Sequence, residues 1–411
     1  MRAQLPLTGT DWPALKSRMG DYAEGDVQWR QGKTAVYVFN AGPEVEQVQK
    51  EAYVAFMSEN GLGPAAFPSL KRMEAEVVDF GLSLLNAPQD ASGVITSGGT
   101  DSITMALKAA RDFARKEKGV TGPLNIVIPR SAHPAFDKAS AIMEIEVRRT
   151  PLREFLADPA AMAVAVDAST VMIVGSAPCF PYGLIDPIAA LSELAVSQDL
   201  WLHVDACVGG YLAPFVRMNG ADLPVFDFSL PGVRSMSADL HKYGYAAKGA
   251  STVLFRSAAL MAHMGFDFRS WPGGRMVTPT LAGTRPGGAI SSAWAVMNFL
   301  GVEGYRAKQT LVVQARETIQ AGAETLGFTV FGRPQLGLMG FAHPEVAGSA
   351  IWAKMRERGW FTGSTSEPAG LHLMLSPVHA QVAGDYLTDL DWALMQASTS
   401  PSPTPAEVRY S

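Results

Sequence analysis

The feature that most constrains this chain is a series of short apolar runs between residues 94 and 256. Most of the runs do not alternate with polar residues, which is typical of strands buried on both faces of a parallel sheet. Helical patterns separate most of them. The runs occupy residues 94–96, 125–129, 171–175, 201–204, 234–238 and 251–256. This arrangement predicts an α/β fold with a mainly parallel central sheet and helices on both faces.

The remainder of the chain is predicted to surround this sheet. Residues 1–68 hold little regular pattern and are expected to pack on the main domain or on a partner subunit. Residues 69–300 would form the large domain, and residues 301–397 have the mixed helix and strand pattern of a smaller C-terminal α+β domain. Residues 398–411 are rich in Pro, Ser and Thr, which predicts a disordered tail.

Composition excludes several classes of function. The 411 residues include 34 basic and 39 acidic side chains, for a formal net charge of −5, and no basic run indicates a nucleic-acid partner. Cys179 and Cys207 are too few for a disulfide framework and favour a reducing compartment. No apolar run reaches transmembrane length, and the first residues lack the order of a signal peptide. We therefore expect a cytoplasmic protein with no transmembrane segment.

The first loop that could carry chemistry is Ser97-Gly98-Gly99-Thr100, which lies between an apolar run and a helical pattern. In open α/β sheets, ligands bind outside the carboxyl ends of the strands. Glycines let backbone N–H groups approach an anion, and a helix N-terminus favours negative charge. The loop is therefore a candidate phosphate site. The plainer alternative is a glycine turn with Thr100 as the helix N-cap.

Two later loops place an imidazole and a carboxylate at the same edge of the sheet. His133 follows the run at 125–129 and could stack on a flat aromatic ligand or bond within the core. Asp205 follows the run at 201–204, and a carboxylate at the end of a buried strand needs a partner. A protonated pyridine nitrogen would attract it by about 4 kcal/mol at an effective dielectric of roughly 20. A structural salt bridge and a helix N-cap are the alternatives.

Lys242 follows the run at 234–238, in a stretch that also holds His241, Lys248 and a single acid, Asp239. An amine held out of bulk water would have a lowered pKa and could form a Schiff base with an aldehyde cofactor. The alternative for Lys242 is a solvated surface charge.

A phosphate site, an aromatic stacker, a carboxylate and a reactive amine are the parts that pyridoxal phosphate (PLP) requires. One cofactor explains the four loops better than four unrelated coincidences do. The glycine fingerprint of nicotinamide binding, G-x-G-x-x-G, does not follow the first strand. Neither Cys–His metal spacing nor a G-x-S-x-G motif is present. The sequence therefore predicts PLP and no metal.

The order of these motifs closely resembles the sphingosine-1-phosphate lyases, which are fold-type-I PLP enzymes of the decarboxylase-like branch. The resemblance runs from about residue 37 to residue 363, and its most specific part is the block around Lys242. Six blocks match, and in chain order they are Thr96-Ser-Gly-Gly-Thr-Asp-Ser, Ser131-Ala-His, Pro178-x-x-Pro-x-Gly-x-Ile-Asp-Pro187, His203-Val-Asp-Ala-Cys-x-Gly-Gly, Ser237-Ala-Asp-x-His-Lys-Tyr-Gly-Tyr-Ala-x-Lys-Gly and Gly283-Thr-Arg-Pro-Gly-Gly.

The resemblance implies a role for each site residue. Lys242 would bind the cofactor aldehyde, Asp205 would face the pyridine nitrogen, and His133 would stack on the ring. The other cofactor-binding residues would be Gly98, Gly99, Thr100, Ser176, Ala206, His241 and Thr284.

The resemblance also implies a homodimer with shared active sites. Thr284 would reach the cofactor phosphate from the other subunit, at a position where the family usually has Ser. Tyr37 would cross into the partner's site, where it would act in catalysis and near the substrate phosphate. Lys248, six residues after Lys242, would hold that phosphate.

The function implied is carbon–carbon bond cleavage in a phosphorylated 2-amino-3-hydroxy long-chain base, giving a fatty aldehyde and phosphoethanolamine. Besides Thr284, three positions depart from the family: Val38 stands in place of His, Gly63 in place of a phosphate-binding His, and Ala247 in place of Pro. Gly63 favours an alternative, an amino-acid decarboxylase or a lyase acting on a smaller, unphosphorylated substrate, whereas Lys248 opposes it. A binding module that has lost catalysis is a third possibility, which the complete set of cofactor residues disfavours.

Overall fold

The computed structural model describes residues 2–399 of the chain. The helices are α1 (Trp12–Ala23), α2 (Pro43–Ala55), α3 (Pro68–Leu84), α4 (Gly99–Lys116), α5 (Ala135–Met143), α6 (Pro159–Ala165), α7 (Ile188–Ser197), α8 (Ala213–Met218), α9 (Ala258–Ala262), α10 (Gly287–Thr325), α11 (Gly348–Glu357) and α12 (His379–Thr399). None of these helices combines the length and the apolar character needed to cross a membrane.

The strands form a large and a small sheet with two short hairpins. They are β1 (Ser92–Thr96), β2 (Leu124–Pro129), β3 (Ile145–Thr150), β4 (Leu152–Arg153), β5 (Leu156–Ala157), β6 (Thr170–Ser176), β7 (Trp201–Asp205), β8 (Val233–Ala238), β9 (Ser251–Phe255), β10 (Phe266–Phe268), β11 (Met276–Thr278), β12 (Thr329–Val330), β13 (Leu338–Ala342), β14 (Gly363–Ser366) and β15 (Ala369–Met374).

The central sheet has seven strands in the order β1-β9-β8-β7-β6-β2-β3. The five strands from β8 to β3 are mutually parallel. Strand β9 pairs antiparallel with both β8 and β1. The predicted mainly parallel sheet is thus confirmed, with β9 as its one reversed member among the described strands. Strand β3 was not predicted, because this partly exposed edge strand lacks the continuous apolar run of a buried one.

Helices cover both faces of this sheet, as expected. Along β6, Ile173 packs in one core with α7, whereas Met172 and Val174 pack in another core with α4 and α5. Successive residues of a strand point to opposite faces, so the two cores lie on opposite sides of the sheet. This burial on both sides explains why the strand sequences are apolar throughout rather than alternating.

The smaller sheet has the antiparallel order β12-β13-β15-β14, with α11 against β15 and α12 against α11. The short apolar runs at 328–331, 336–341 and 371–375 correspond to β12, β13 and β15. Helix α10 is interrupted at Gly301, where φ is 56° and ψ is −174°. The sequence division at residue 300 falls at this interruption, and the domain boundaries themselves stay predictions.

The N-terminal segment attaches to both parts of the molecule. Thr34 pairs with Phe361 beside the small sheet. The carbonyl oxygen of Thr34 also lies 2.9 Å from Nε2 of His379. Further along the segment, α2 packs on α10. Helix α1 has no buried residue. At the other end, α12 continues to Thr399, two residues into the predicted tail. The rest of that tail, residues 400–411, lies outside the described part of the chain.

Candidate active site

The carboxyl ends of β2, β7 and β8 and the loop after β1 meet around one cavity of about 230 Å³. Its wall is formed by Gly99, Thr100, Ile103, His133, Pro178, Phe180, Asp205, Cys207, Val208, Asp239, His241 and Lys242. The structure therefore brings together the glycine loop, the imidazole, the carboxylate and the amine that the sequence placed at one edge. Of the predicted cofactor residues, Gly98, Ser176, Ala206 and Thr284 are not part of this wall.

Lys242 is the centre of a buried charge cluster. Its Nζ lies 2.8 Å from Oδ2 of Asp239, and the two side chains are only 19% and 2% exposed. Nε2 of His241 lies 3.8 Å from the same oxygen. Burial lowers the pKa of Lys242, but the neighbouring Asp239 carboxylate outweighs burial, so the pKa is raised above its ordinary value. The expected lowering of the lysine pKa is therefore wrong, because the sequence did not reveal this contact.

Asp205 ends β7 and is held by two hydrogen bonds. The backbone N–H of Cys207 and the hydroxyl of Ser237 both donate to its Oδ1, each at 3.1 Å. Asp205 has no ion pair within the described part of the chain, so the structural salt bridge considered for it is not formed. Because both donors reach Oδ1, the second oxygen, Oδ2, can serve a ligand in the cavity.

His133 lies against the cavity, just before α5. Its Nδ1 accepts a hydrogen bond of 3.1 Å from the N–H of Ala135. Burial lowers the pKa of His133, although the negative charge of Asp205 opposes that effect. A neutral imidazole in this position presents a flat face, which suits stacking on an aromatic ring.

The glycine loop leads directly into α4. The N-cap is Gly98 and no side chain caps the helix, so the alternative of Thr100 as the N-cap is wrong. The first N–H groups of the helix are thus available to an anion. A Cβ on Gly99 would lie 2.8 Å from Sγ of Cys207 and 3.0 Å from the Asp239 carboxylate. Only glycine leaves room at this point of the wall.

Lys248 lies beside a second cavity, of about 330 Å³, which Phe39, Gln49 and His241 also line. Its Nζ donates to the carbonyls of Tyr37, at 2.7 Å, and His241, at 3.3 Å. Burial of the ammonium and the positive charge of Lys242 lower the pKa of Lys248 to about 8. His241 borders both cavities, so the two lysines serve adjoining spaces.

Two residues given a role by resemblance, Tyr37 and Thr284, lie away from the first cavity. Tyr37 lies next to Lys248 of its own chain, with its ring 6.0 Å from that of Phe361. Thr284 is exposed, beside Arg285, which forms a buried ion pair with Glu74. Their contribution to a partner's site stays a prediction. Gly63, where the family has a histidine, is a position at which a Cβ would meet only Ala66.

Sequence reasoning missed several residues of the cavity wall. Asp239 was noted as the one acid of its stretch, but its pairing with Lys242 depends on a tight turn of three residues. Cys207 and Phe180 were seen only as parts of loops, although both border the cavity. The position of Cys207, two residues after Asp205 in the loop that begins at the strand end, was the available signal.

Comparison with known proteins agrees with this geometry. The sequence profile of the family described as "Pyridoxal-dependent decarboxylase conserved domain" matches residues 26–343. The sphingosine-1-phosphate lyase of Oryza sativa is 39% identical over 98% of this chain and 76% of its own length. That of Arabidopsis thaliana is 37% identical over 97% of this chain and 75% of its own length.

A solved structure gives the same result. The sphingosine-1-phosphate lyase of Burkholderia pseudomallei superposes with a TM-score of 0.92 at 36% identity, covering 97% of this chain and 93% of that chain. The expected fold type I, with its mainly parallel sheet, is thereby confirmed. The chain belongs to the sphingosine-1-phosphate lyase family of the pyridoxal-dependent decarboxylases.

Proposed function

We propose that this protein is a PLP-dependent carbon–carbon lyase that cleaves the C2–C3 bond of a phosphorylated 2-amino-3-hydroxy long-chain base, such as sphingosine 1-phosphate. The products are a fatty aldehyde and phosphoethanolamine. The observation that carries the proposal is the pair of lysines in adjoining cavities. Lys242 is paired with Asp239, whereas Lys248 contacts two backbone carbonyls and an aromatic ring among residues 2–399. One amine can serve the cofactor, and the other remains for an anionic substrate.

Pyridoxal phosphate is the cofactor of this family, and the first cavity fits it. His241 Nδ1 is buried there without a hydrogen-bond partner among the described residues. The wall at Gly99 has no room for a Cβ, and the start of α4 offers uncapped N–H groups to a phosphate. Lys242, Asp205 and His133 would hold the aldehyde, the ring nitrogen and the ring face. When bound, PLP supplies an aldehyde for amines and a ring that accepts the electron pair of the broken bond.

Asp205 supports this chemistry by holding negative charge at a fixed oxygen. Two hydrogen-bond donors on Oδ1 fix the orientation of this carboxylate. Facing a pyridine nitrogen, it would keep the proton there. His133 would exclude water from one side of the ring.

Lys242 also takes part in proton transfer. The ammonium at Nζ, which Asp239 stabilises from 2.8 Å, must lose a proton before the amine can bond to an aldehyde. Cleavage also requires that the substrate's 3-hydroxyl lose its proton. The amine of Lys242, when not bonded to PLP, is the group of this chain that we assign to that step.

Lys248 would bind the substrate phosphate in the second cavity. An ammonium is a strong phosphate ligand, and in this cavity its present partners are backbone carbonyls and the ring of Phe39, 5.3 Å away. Gly63 cannot supply the histidine that the family uses for the same phosphate. Lys248 would therefore carry more of the binding here.

The site would be completed by a second copy of the chain in a cytoplasmic homodimer. The hairpin β10–β11 and its turn expose Phe266, Phe268, Trp271 and Val277, and α1 buries nothing in its own chain. Apolar surface of this kind is typical of a subunit interface. Thr284 would act in trans from the loop after this hairpin, as would Tyr37 from the N-terminal segment. Two buried free cysteines fit a reducing compartment.

The alternative is an amino-acid decarboxylase or a lyase acting on a smaller substrate, and only Gly63 favours it. To separate the two, the purified holoenzyme is offered phosphorylated and unphosphorylated sphingoid bases in parallel, and products are identified by mass spectrometry. We expect a fatty aldehyde and phosphoethanolamine from the phosphorylated base, and none from a Lys242→Ala control. Equal turnover of both bases, or release of carbon dioxide from amino acids alone, would overturn the proposal.

A further inference from the structure

A line of polar side chains crosses the sheet behind Asp205. Trp201, His203 and Asp205 alternate along β7, so they lie on one face. Ser235 and Ser237 lie on the same face of β8, paired in register with His203 and Asp205. This face is buried and packs on α4 and α5. Polar groups in such a place require partners.

The five side chains satisfy one another in a single chain of hydrogen bonds. Nε1 of Trp201 donates to the hydroxyl of Ser235 at 2.8 Å. That hydroxyl lies 2.8 Å from Nδ1 of His203, and Nε2 of His203 lies 3.2 Å from the hydroxyl of Ser237. Ser237 then donates to Oδ1 of Asp205 at 3.1 Å. Only the last residue borders the cofactor cavity.

The two ends fix the direction of every bond between them. The indole N–H can only donate and a carboxylate can only accept. Ser237 has one proton, which goes to Asp205, so Nε2 of His203 must be the donor to Ser237. A neutral His203 then has a bare Nδ1, which accepts from Ser235. His203 is completely buried, and burial lowers its pKa to about 4, so the ring is neutral at physiological pH.

We propose that Trp201, Ser235, His203 and Ser237 form a one-directional hydrogen-bond relay that fixes Asp205 as an oriented carboxylate for the pyridine nitrogen of PLP. This inference rests on the proposed role of Asp205 in cofactor binding. His203 is a positioning residue that acts through Ser237 and touches neither cofactor nor substrate. Its ring is held edge-on to Phe136, with ring centroids 5.8 Å apart, which keeps Nε2 directed at Ser237.

The relay has a simple electrostatic consequence. Each donor in the series presents its positive end toward Asp205, and aligned hydrogen bonds polarise one another. The reverse tautomer of His203 would need the proton of Ser237 for its bare Nε2. Asp205 would then keep only the N–H of Cys207. The tautomer of one buried histidine therefore decides how firmly the carboxylate is held.

The first test is ¹⁵N NMR of holoenzyme labelled at histidine, with a His203→Gln sample to assign the signal. We expect His203 to be neutral at pH 7, with a protonated Nε2 and a bare Nδ1. An imidazolium, or a ring protonated at Nδ1, would overturn the relay. The tautomer is read from wild-type protein, and the variant serves only to identify the signal of His203.

The second test compares two isosteres of His203. Glutamine places an amide N–H near the position of Nε2 and keeps the donor to Ser237, whereas asparagine places its amide near Nδ1 and loses it. We expect His203→Asn to release PLP at least tenfold faster than wild type, a difference of about 1.4 kcal/mol, and to shift the pH dependence of the bound cofactor's absorption. His203→Gln should recover most of both properties.

A matched control separates the relay from general loss of packing. Ser192 is a buried serine whose hydroxyl accepts from the N–H of Gly232 at 2.9 Å, outside the relay. Ser192→Ala should release PLP like wild type, whereas Ser237→Ala should behave like His203→Asn. Equal effects of the two histidine variants would refute the relay. If Asp205→Asn itself leaves the cofactor spectrum unchanged, the proposed role of Asp205 fails, while the NMR result still reports on the relay.

Discussion

Nζ of Lys242 lies 2.8 Å from Oδ2 of Asp239, three residues earlier in the same turn, and both side chains are largely buried. This contact raises the pKa of the lysine despite burial and lowers that of Asp239, against the opposing effect of burial on the acid. The protein without cofactor therefore holds Lys242 as an ammonium, paired with an ionised Asp239.

Asp239→Asn should lower the pKa of Lys242, because the carboxylate that most strongly opposes the unfavourable effect of burial on the ammonium would be lost. The pH midpoint for uptake of PLP by the apoprotein should then move down by about one pH unit or more. This midpoint is measured by absorption spectroscopy of apoprotein mixed with PLP over a series of pH values. An exposed acid, as in Asp222→Asn, serves as the control. An unchanged midpoint in Asp239→Asn would show that the ion pair does not set the pKa.

Lys242 should carry the cofactor. Borohydride reduction of the holoenzyme followed by peptide mapping is expected to place the pyridoxyl group on Lys242, which lines the first cavity, and not on Lys248, which lines the second. A label on Lys248 would reverse the assignment of the two lysines.

The strands and the loops that follow them could be predicted, because buried parallel strands have an apolar pattern and ligands bind at their carboxyl ends. Side-chain partners could not. The contact between Lys242 and Asp239 depends on a backbone turn, and the donor from Ser237 to Asp205 depends on the register of β7 against β8. Neither is encoded in a local pattern. The sequence division at residue 300, by contrast, coincides with the interruption of α10 at Gly301.

Asp205→Asn should retain the fold and lose most activity. The amide keeps the shape of the side chain but cannot hold a proton on the pyridine nitrogen by charge. We expect kcat to fall by more than tenfold, or about 1.4 kcal/mol of barrier. The circular dichroism spectrum and melting temperature should stay near those of wild type. A smaller loss of kcat would contradict a role for Asp205 in electron withdrawal.

A shared site predicts complementation between two inactive chains. Lys242→Ala removes the amine, and Tyr37→Phe removes a hydroxyl that the family resemblance assigns to the partner's site. Heterodimers of the two variants contain one intact site and should regain part of the activity, up to roughly half if the sites act independently. Mixing Lys242→Ala with Asp205→Asn is the control, because both changes fall in the same cavity wall of one chain. Each site of this control heterodimer lacks either Lys242 or Asp205, so we expect no recovery of activity. Verified heterodimers without activity would argue against sharing.

Lys248 should make substrate binding depend on pH in a defined direction. Its pKa is lowered to about 8 by its surroundings and by Lys242, so the ammonium loses its proton as the pH rises through that value. KM for the phosphorylated base should therefore rise between about pH 7 and pH 9. Lys248→Ala should raise KM at pH 7 by about tenfold or more, since a hydrogen bond to a charged group contributes roughly 1.5–3 kcal/mol, while the spectrum of bound PLP stays unchanged. Lys248→Arg keeps its charge throughout this range, so its KM should vary less with pH. If Lys248→Ala binds and turns over the phosphorylated base like wild type, the second cavity is not the phosphate site, and a smaller substrate becomes the better proposal.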